Sequence, residues 1–149
     1  MKNIIMKFSL GYLRLGTAFL FSLCIAATAS APDVKVIVNS GVDISAISSD
    51  DLKSIFLLTK KSFSDGTHAE PVLSKGGAVH EAFLKGYLGK TDDSLTSFYR
   101  NAVFAGKGLT PRAFASDAEV AAYVAKTKGA IGYVGSDPKT SGVKTVDMK

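Results

Sequence analysis

Tryptophan is absent from this chain, cysteine occurs once, histidine twice and proline four times in 149 residues. Each scarcity removes a class of chemistry. The lone Cys24 lies in an apolar N-terminal stretch, so the rest of the chain can form neither an internal disulfide nor a thiolate metal centre. His68 and His80 have no ligand-spaced partner, and no metal is expected. No Gly-x-Ser-x-Gly, His-Glu-x-x-His or phosphate-loop signature occurs, so neither an enzyme nor a cofactor is expected. Asp50-Asp51 and Asp92-Asp93 fall at expected helix starts, where the helix dipole accounts for them without acid–base chemistry.

Charge is also modest once the N-terminus is set aside. Lys2, Lys7 and Arg14 precede an apolar stretch from Thr17 to Ala27, and Ala27-Thr28-Ala29 is a small-x-small cleavage pattern. Residues 1–29 therefore read as a secretory signal peptide cut before Ser30. The other reading is an uncleaved anchor, because Ile4, Ile5, Met6 and Phe8 make the basic region partly apolar. Leu23 before Cys24 argues against a lipoprotein signal. Cleavage would remove three basic residues and no acidic ones, taking the net charge from +5 to +2. With no basic run interleaved with aromatics, nucleic acid is not an expected partner. The expected product is a periplasmic or secreted protein with no stable membrane insertion, residues 30–149 forming one domain.

Within that domain, β-branched alternation predicts a strand over 34–39. Ser48 or Ser49 is placed to cap a helix whose Leu52, Ile55 and Phe56 recur at helical spacing. Thr59 to Thr67 reads as a loop turning at Asp65-Gly66, with Phe63 as its anchor. A short strand over 70–74 ends at Lys75-Gly76-Gly77, and a helix follows from Ala78 to Leu88, stopped by Gly89. Thr91 caps the next helix, with Leu95, Phe98, Tyr99 and Val103 inward. Residues 106–112 read as an exposed loop, Ser116 caps a further helix ended by Gly129, and strands are expected over 130–134 and 143–147. Strands alternating with helices give an α/β fold.

Four segments in order, DDLKSIF at 50–56, SFSDGT at 62–67, GKG at 106–108 and GAIGYV at 129–134, resemble the phosphate-type solute-binding proteins of ABC importers. The resemblance spans about residues 34–134. It implies a single lobe of a periplasmic-binding-protein-like (type II) fold, a small mixed sheet flanked by helices. It also implies uptake or sensing of phosphate or another small anion, with an ABC permease as partner. Because the family's clamps have two lobes, tight binding would call for a second lobe from a dimer or another protein.

The candidate site is the turn Ser74, Lys75, Gly76, Gly77 and Ala78, where glycines ahead of a helix leave amide groups free to face an anion. The resembled family grips phosphate there with an Arg and a Ser-Gly-Thr helix start. Matching Phe83 and Tyr87 to that helix's apolar positions sets Leu73 at the Arg, Gly77 at the Ser, Ala78 at the Gly and Val79 at the Thr. The side-chain ligands are thus missing. At about 1.5–3 kcal/mol per lost charge-assisted donor, affinity falls by roughly three to six orders of magnitude. Lys75 and Ser74 stand on the same turn as partial replacements, and the alternative is a tight turn with no ligand. His80, Arg100 and Arg112 read as exposed surface residues. An interaction protein that kept the lobe and lost the ligand is the second reading.

Overall fold

The computed structural model describes residues 32–149; the expected signal peptide and its cleavage point lie outside them. β1, Lys35–Asn39, sends Val36 and Val38 to one layer and Ile37 to the other, all buried. β5, Ala130–Val134, does the same with Ile131 and Tyr133 against Ala130 and Val134. Strands apolar on both faces belong inside a sheet covered on both sides. β1 and β5 pair antiparallel, with Ile37 opposite Gly132. β3, Glu70–Ser74, runs parallel to β5, and β4, Arg112–Phe114, runs parallel to β3. β6, Val143–Thr145, pairs antiparallel with β1, giving the order β4-β3-β5-β1-β6.

Helix α4, Asp117–Lys126, capped by Ser116, covers one face with Val120, Ala121 and Val124. The other face carries three helices. α1, Ser49–Phe56, is capped by Ser48, whose side chain accepts the Asp51 N–H at 3.1 Å. α2, Ala78–Phe83, continues as one π turn, Leu84–Leu88, and stops at Gly89 with φ of 63°. α3, Asp92–Phe104, begins with a capping box between Thr91 and Ser94. Leu52, Phe56, Phe83, Leu84, Leu95 and Tyr99 pack beneath them on Val36, Val38, Ile131 and Tyr133. A mixed α/β sheet flanked by helices is thus the observed architecture.

Three local departures have physical reasons. The strand expected over 143–147 splits, because Val146 turns into the core and Asp147–Met148 (β7) pairs parallel with Ala46–Ile47 (β2). Arg112, expected in a loop, starts β4 on the sheet edge beside β3. The helix expected over 78–88 widens into a π turn at its end, with Leu84 and Leu88 buried there. Phe63 is buried and anchors its loop as expected. The loop is tied further by Asp65, whose carboxylate accepts the N–H groups of Thr67 and Asp43.

Candidate functional site

The residues between β3 and α2 are built for an open turn. Gly76 and Gly77 have φ of 85° and 92°, a region that a side chain would strain. The Lys75 N–H donates to the Phe114 carbonyl at 2.8 Å, which clips the turn to β4. Among the described residues no backbone acceptor engages the amides of Gly76, Gly77 or Ala78, and all three residues are exposed.

Beside this turn lies a cleft of about 670 Å³. Ser74, Lys75 and Gly76 form one wall, and Thr96 and Arg100 of α3 with Thr110 form another. Gly77 and Ala78 do not line it. Two cations and the Gly76 turn therefore share one concavity, and Leu73, Leu95 and Tyr99 give it an apolar lining. Arg100, read from sequence as a surface residue, is exposed but stands on the cleft wall. Its signal was the stripe Thr96–Arg100–Phe104 at helical spacing, opposite the buried Leu95, Tyr99 and Ala102. Arg112 does not join the site. Its guanidinium stands 5.7 Å from the Tyr123 ring centre and borders a second cleft of about 430 Å³ with Lys60, Lys61 and Lys107.

His80 corrects the sequence reading most clearly: it is only 2% exposed. It belongs to the stripe His80–Phe83–Leu84–Tyr87, so the spacing carried the signal and its polarity hid it. His80 Nε2 lies 3.0 Å from Asp92 Oδ1, and Nδ1 lies 2.5 Å from the Tyr133 hydroxyl. That hydroxyl also accepts the Ser74 N–H at 3.0 Å. Burial raises the Tyr133 phenol above its ordinary value, so it keeps its proton and can donate to Nδ1. The neutral imidazole then carries its proton on Nε2 and donates it to Asp92. Phe83 stacks on the Tyr133 ring, centroids 3.8 Å apart and planes 9° from parallel, and holds the tyrosine in place. Ser74 Oγ is buried and makes no hydrogen bond, although the backbone N–H of the same residue is held by the Tyr133 hydroxyl.

No family model matches this chain, and no curated protein does. Solved structures do. An ABC-type phosphate transport receptor from Vibrio cholerae matches with a TM-score of 0.56 at 12% identity, over 77% of this chain and 45% of its own. PstS from Borrelia burgdorferi matches with a TM-score of 0.60 at 13% identity, over 78% and 47%. A third structure, from Clostridium perfringens with phosphate bound, is described as a phosphate ABC transporter substrate-binding protein. It gives 0.60 at 13% identity, over 77% and 44%. The fold is that of a phosphate-binding-protein lobe.

This chain spans under half the length of each of those structures. At such identities the likeness is one of fold. In this lobe two of the residues matched to the family's phosphate donors, Leu73 and Val79, are spent on packing, while Gly77 is exposed and has no side chain to offer. Leu73 is buried in the core, and Val79 packs over Gly135, where an added Cβ would lie 2.6 Å from Val79 Cγ2. The polar groups around the cleft come instead from Lys75, Thr96, Arg100 and Thr110, together with His80 and the Asp92 carboxylate it faces.

Proposed function

We propose that this lobe binds a small oxyanion, phosphate first among the candidates, in the cleft between Lys75 and Arg100. It would do so as an exported, non-catalytic substrate-binding protein serving ABC-type uptake or sensing. The observation that carries the reading is the meeting of two cations and the unengaged Gly76 amide in one concavity on this fold. Cations in a partly apolar cleft attract an oxyanion more strongly than they would in bulk water, and arginine offers it a fork of donors. Ser74, Lys75, Gly76, Gly77 and Ala78 form the turn that sets the cleft's edge, with Gly77 and Ala78 shaping it from outside. Export rests on the N-terminal pattern; among the described residues no helix is long and apolar enough to cross a membrane.

Titration calorimetry tests this on protein recovered from the periplasm of an expressing bacterium, its N-terminus sequenced to locate processing before Ser30. Phosphate is expected to bind with a Kd of order 10–1,000 μM. Lys75→Ala and Arg100→Ala should each weaken it by about tenfold or more. Tight binding untouched by both substitutions would refute the site.

A second reading has an observation of its own. Val103, Phe104 and Leu109 are 44%, 87% and 83% exposed and cluster at the end of α3 and in the segment after it. Val103 and Phe104 line the cleft itself. Apolar side chains gathered at one rim suit a covering partner, either a second copy acting as an opposing lobe or an envelope protein. An accessory role without ligand is then indicated if phosphate, sulfate and related oxyanions all produce no heat.

A further inference from the structure

We propose that His80 is a proton-gated cation of this cleft, gaining a proton as pH falls and tightening anion binding, with Ser74 Oγ receiving the hydrogen bond that Tyr133 gives up. The proposal rests on the oxyanion reading of the cleft.

In the neutral state the hydrogen bonds run one way. The Ser74 N–H donates to the Tyr133 oxygen, the Tyr133 O–H donates to His80 Nδ1, and Nε2–H donates to Asp92. Among the described residues only Ser74 Oγ is a buried side-chain polar atom without a partner, and its own backbone N–H is on the Tyr133 oxygen. An unmade hydrogen bond at a buried hydroxyl is costly, and such an orphan calls for an explanation. A proton added to Nδ1 from solvent supplies one. Nδ1–H then donates to the Tyr133 oxygen, whose own O–H leaves Nδ1 and, with no covalent bond broken, rotates to donate to Ser74 Oγ. The orphaned Oγ then has a donor, and Nε2–H remains on Asp92 as an ion pair.

The charges around His80 set the sign. Asp92 at the start of α3 faces Nε2 and favours the imidazolium. Tyr133 on β5 faces Nδ1 as a neutral phenol, and Tyr99 on α3 is already occupied in donating to the Phe56 carbonyl. Asp117 of α4 acts on Tyr133 at longer range. Glu81 follows His80 on α2 and is exposed. Lys75 and Arg100, lining the same cleft, oppose protonation until an anion offsets them. Anion binding and proton uptake therefore reinforce each other, as linkage requires. The imidazolium also cancels the Asp92 charge that an incoming anion would otherwise meet.

Sulfate is the probe, because it stays dianionic where histidine titrates. Wild-type protein is expected to bind sulfate about tenfold more tightly near pH 5.5 than near pH 8. His80→Gln should make the affinity flat with pH. Ser74→Ala removes the oxygen that receives the Tyr133 hydroxyl while leaving its charge neighbours in place. It should lower the midpoint of the His80 ring-proton titration in NMR by about one pH unit, with no ligand needed, and shrink the pH gain in binding. Sulfate binding that is equal at both pH values, or a His80 midpoint unmoved by Ser74→Ala, overturns the proposal alone. Absence of sulfate and phosphate binding at either pH overturns the oxyanion reading and takes this one with it.

Discussion

Lys75 and Arg100 approach the cleft from a turn and from a helix, and neither helps to hold the fold together. Removing either charge should therefore change binding and leave stability alone. Gly132 is the opposite kind of residue. A Cβ there would meet Val120 Cγ1 at 2.8 Å and Val72 Cγ2 at 2.9 Å, and both are stiff, buried side chains. Gly132→Ala should cost about 1–3 kcal/mol by overpacking, read as a lower urea midpoint with an unchanged slope. An unaltered midpoint would mean that α4 sits further from the sheet than described. At this scale the sequence hid more than it revealed. Phe63 and the capping serines were legible from local spacing. His80 was not, because a histidine on an apolar stripe is satisfied only by Tyr133 and Asp92, which are 53 and 12 residues away in sequence. Arg100 was not either, since the cleft it lines exists only once β3 and α3 are placed.

Elements whose ends are set locally were readable. α1, α3 and α4 each begin at a Ser or Thr whose side chain accepts an N–H of the first turn, and each has acidic residues there. β1 and β5 announced themselves by β-branched, doubly buried runs. β2, β4 and β7 are two or three residues long and owe their existence to distant partners, so no local pattern marks them. The loop between α1 and β3 shows how a side chain can do the work of a partner strand. The amide of Thr67, then that of Asp43, then the Thr67 hydroxyl hold the Asp65 carboxyl below its ordinary value of 3.8. A carboxyl with a lowered folded-state value stabilises above the unfolded value and loses that contribution as pH falls through the folded one. The loop should therefore loosen only in acid below about pH 4. Asp65→Asn, which cannot gain that charge, should flatten the acid limb of amide exchange at Thr67 and Asp43. A limb identical to wild type would place the acid sensitivity elsewhere.

At the scale of the molecule, a five-stranded sheet with helices on both faces makes one lobe. The solved structures it matches are more than twice the matched length. A lobe alone leaves its cleft open to solvent on one side, where water competes for the ligand, so weak binding is the physical expectation unless something covers the rim at Phe104 and Leu109. Burial of an anion between two surfaces would strengthen every hydrogen bond it makes.

Amide chemical shifts followed during a phosphate titration of the isotope-labelled protein test the central claim most directly. The account predicts saturable shifts concentrated at Lys75, Gly76, Thr96 and Arg100, with the second cleft around Lys61 and Lys107 silent. Saturable shifts that gather elsewhere, or none at millimolar phosphate, would contradict it.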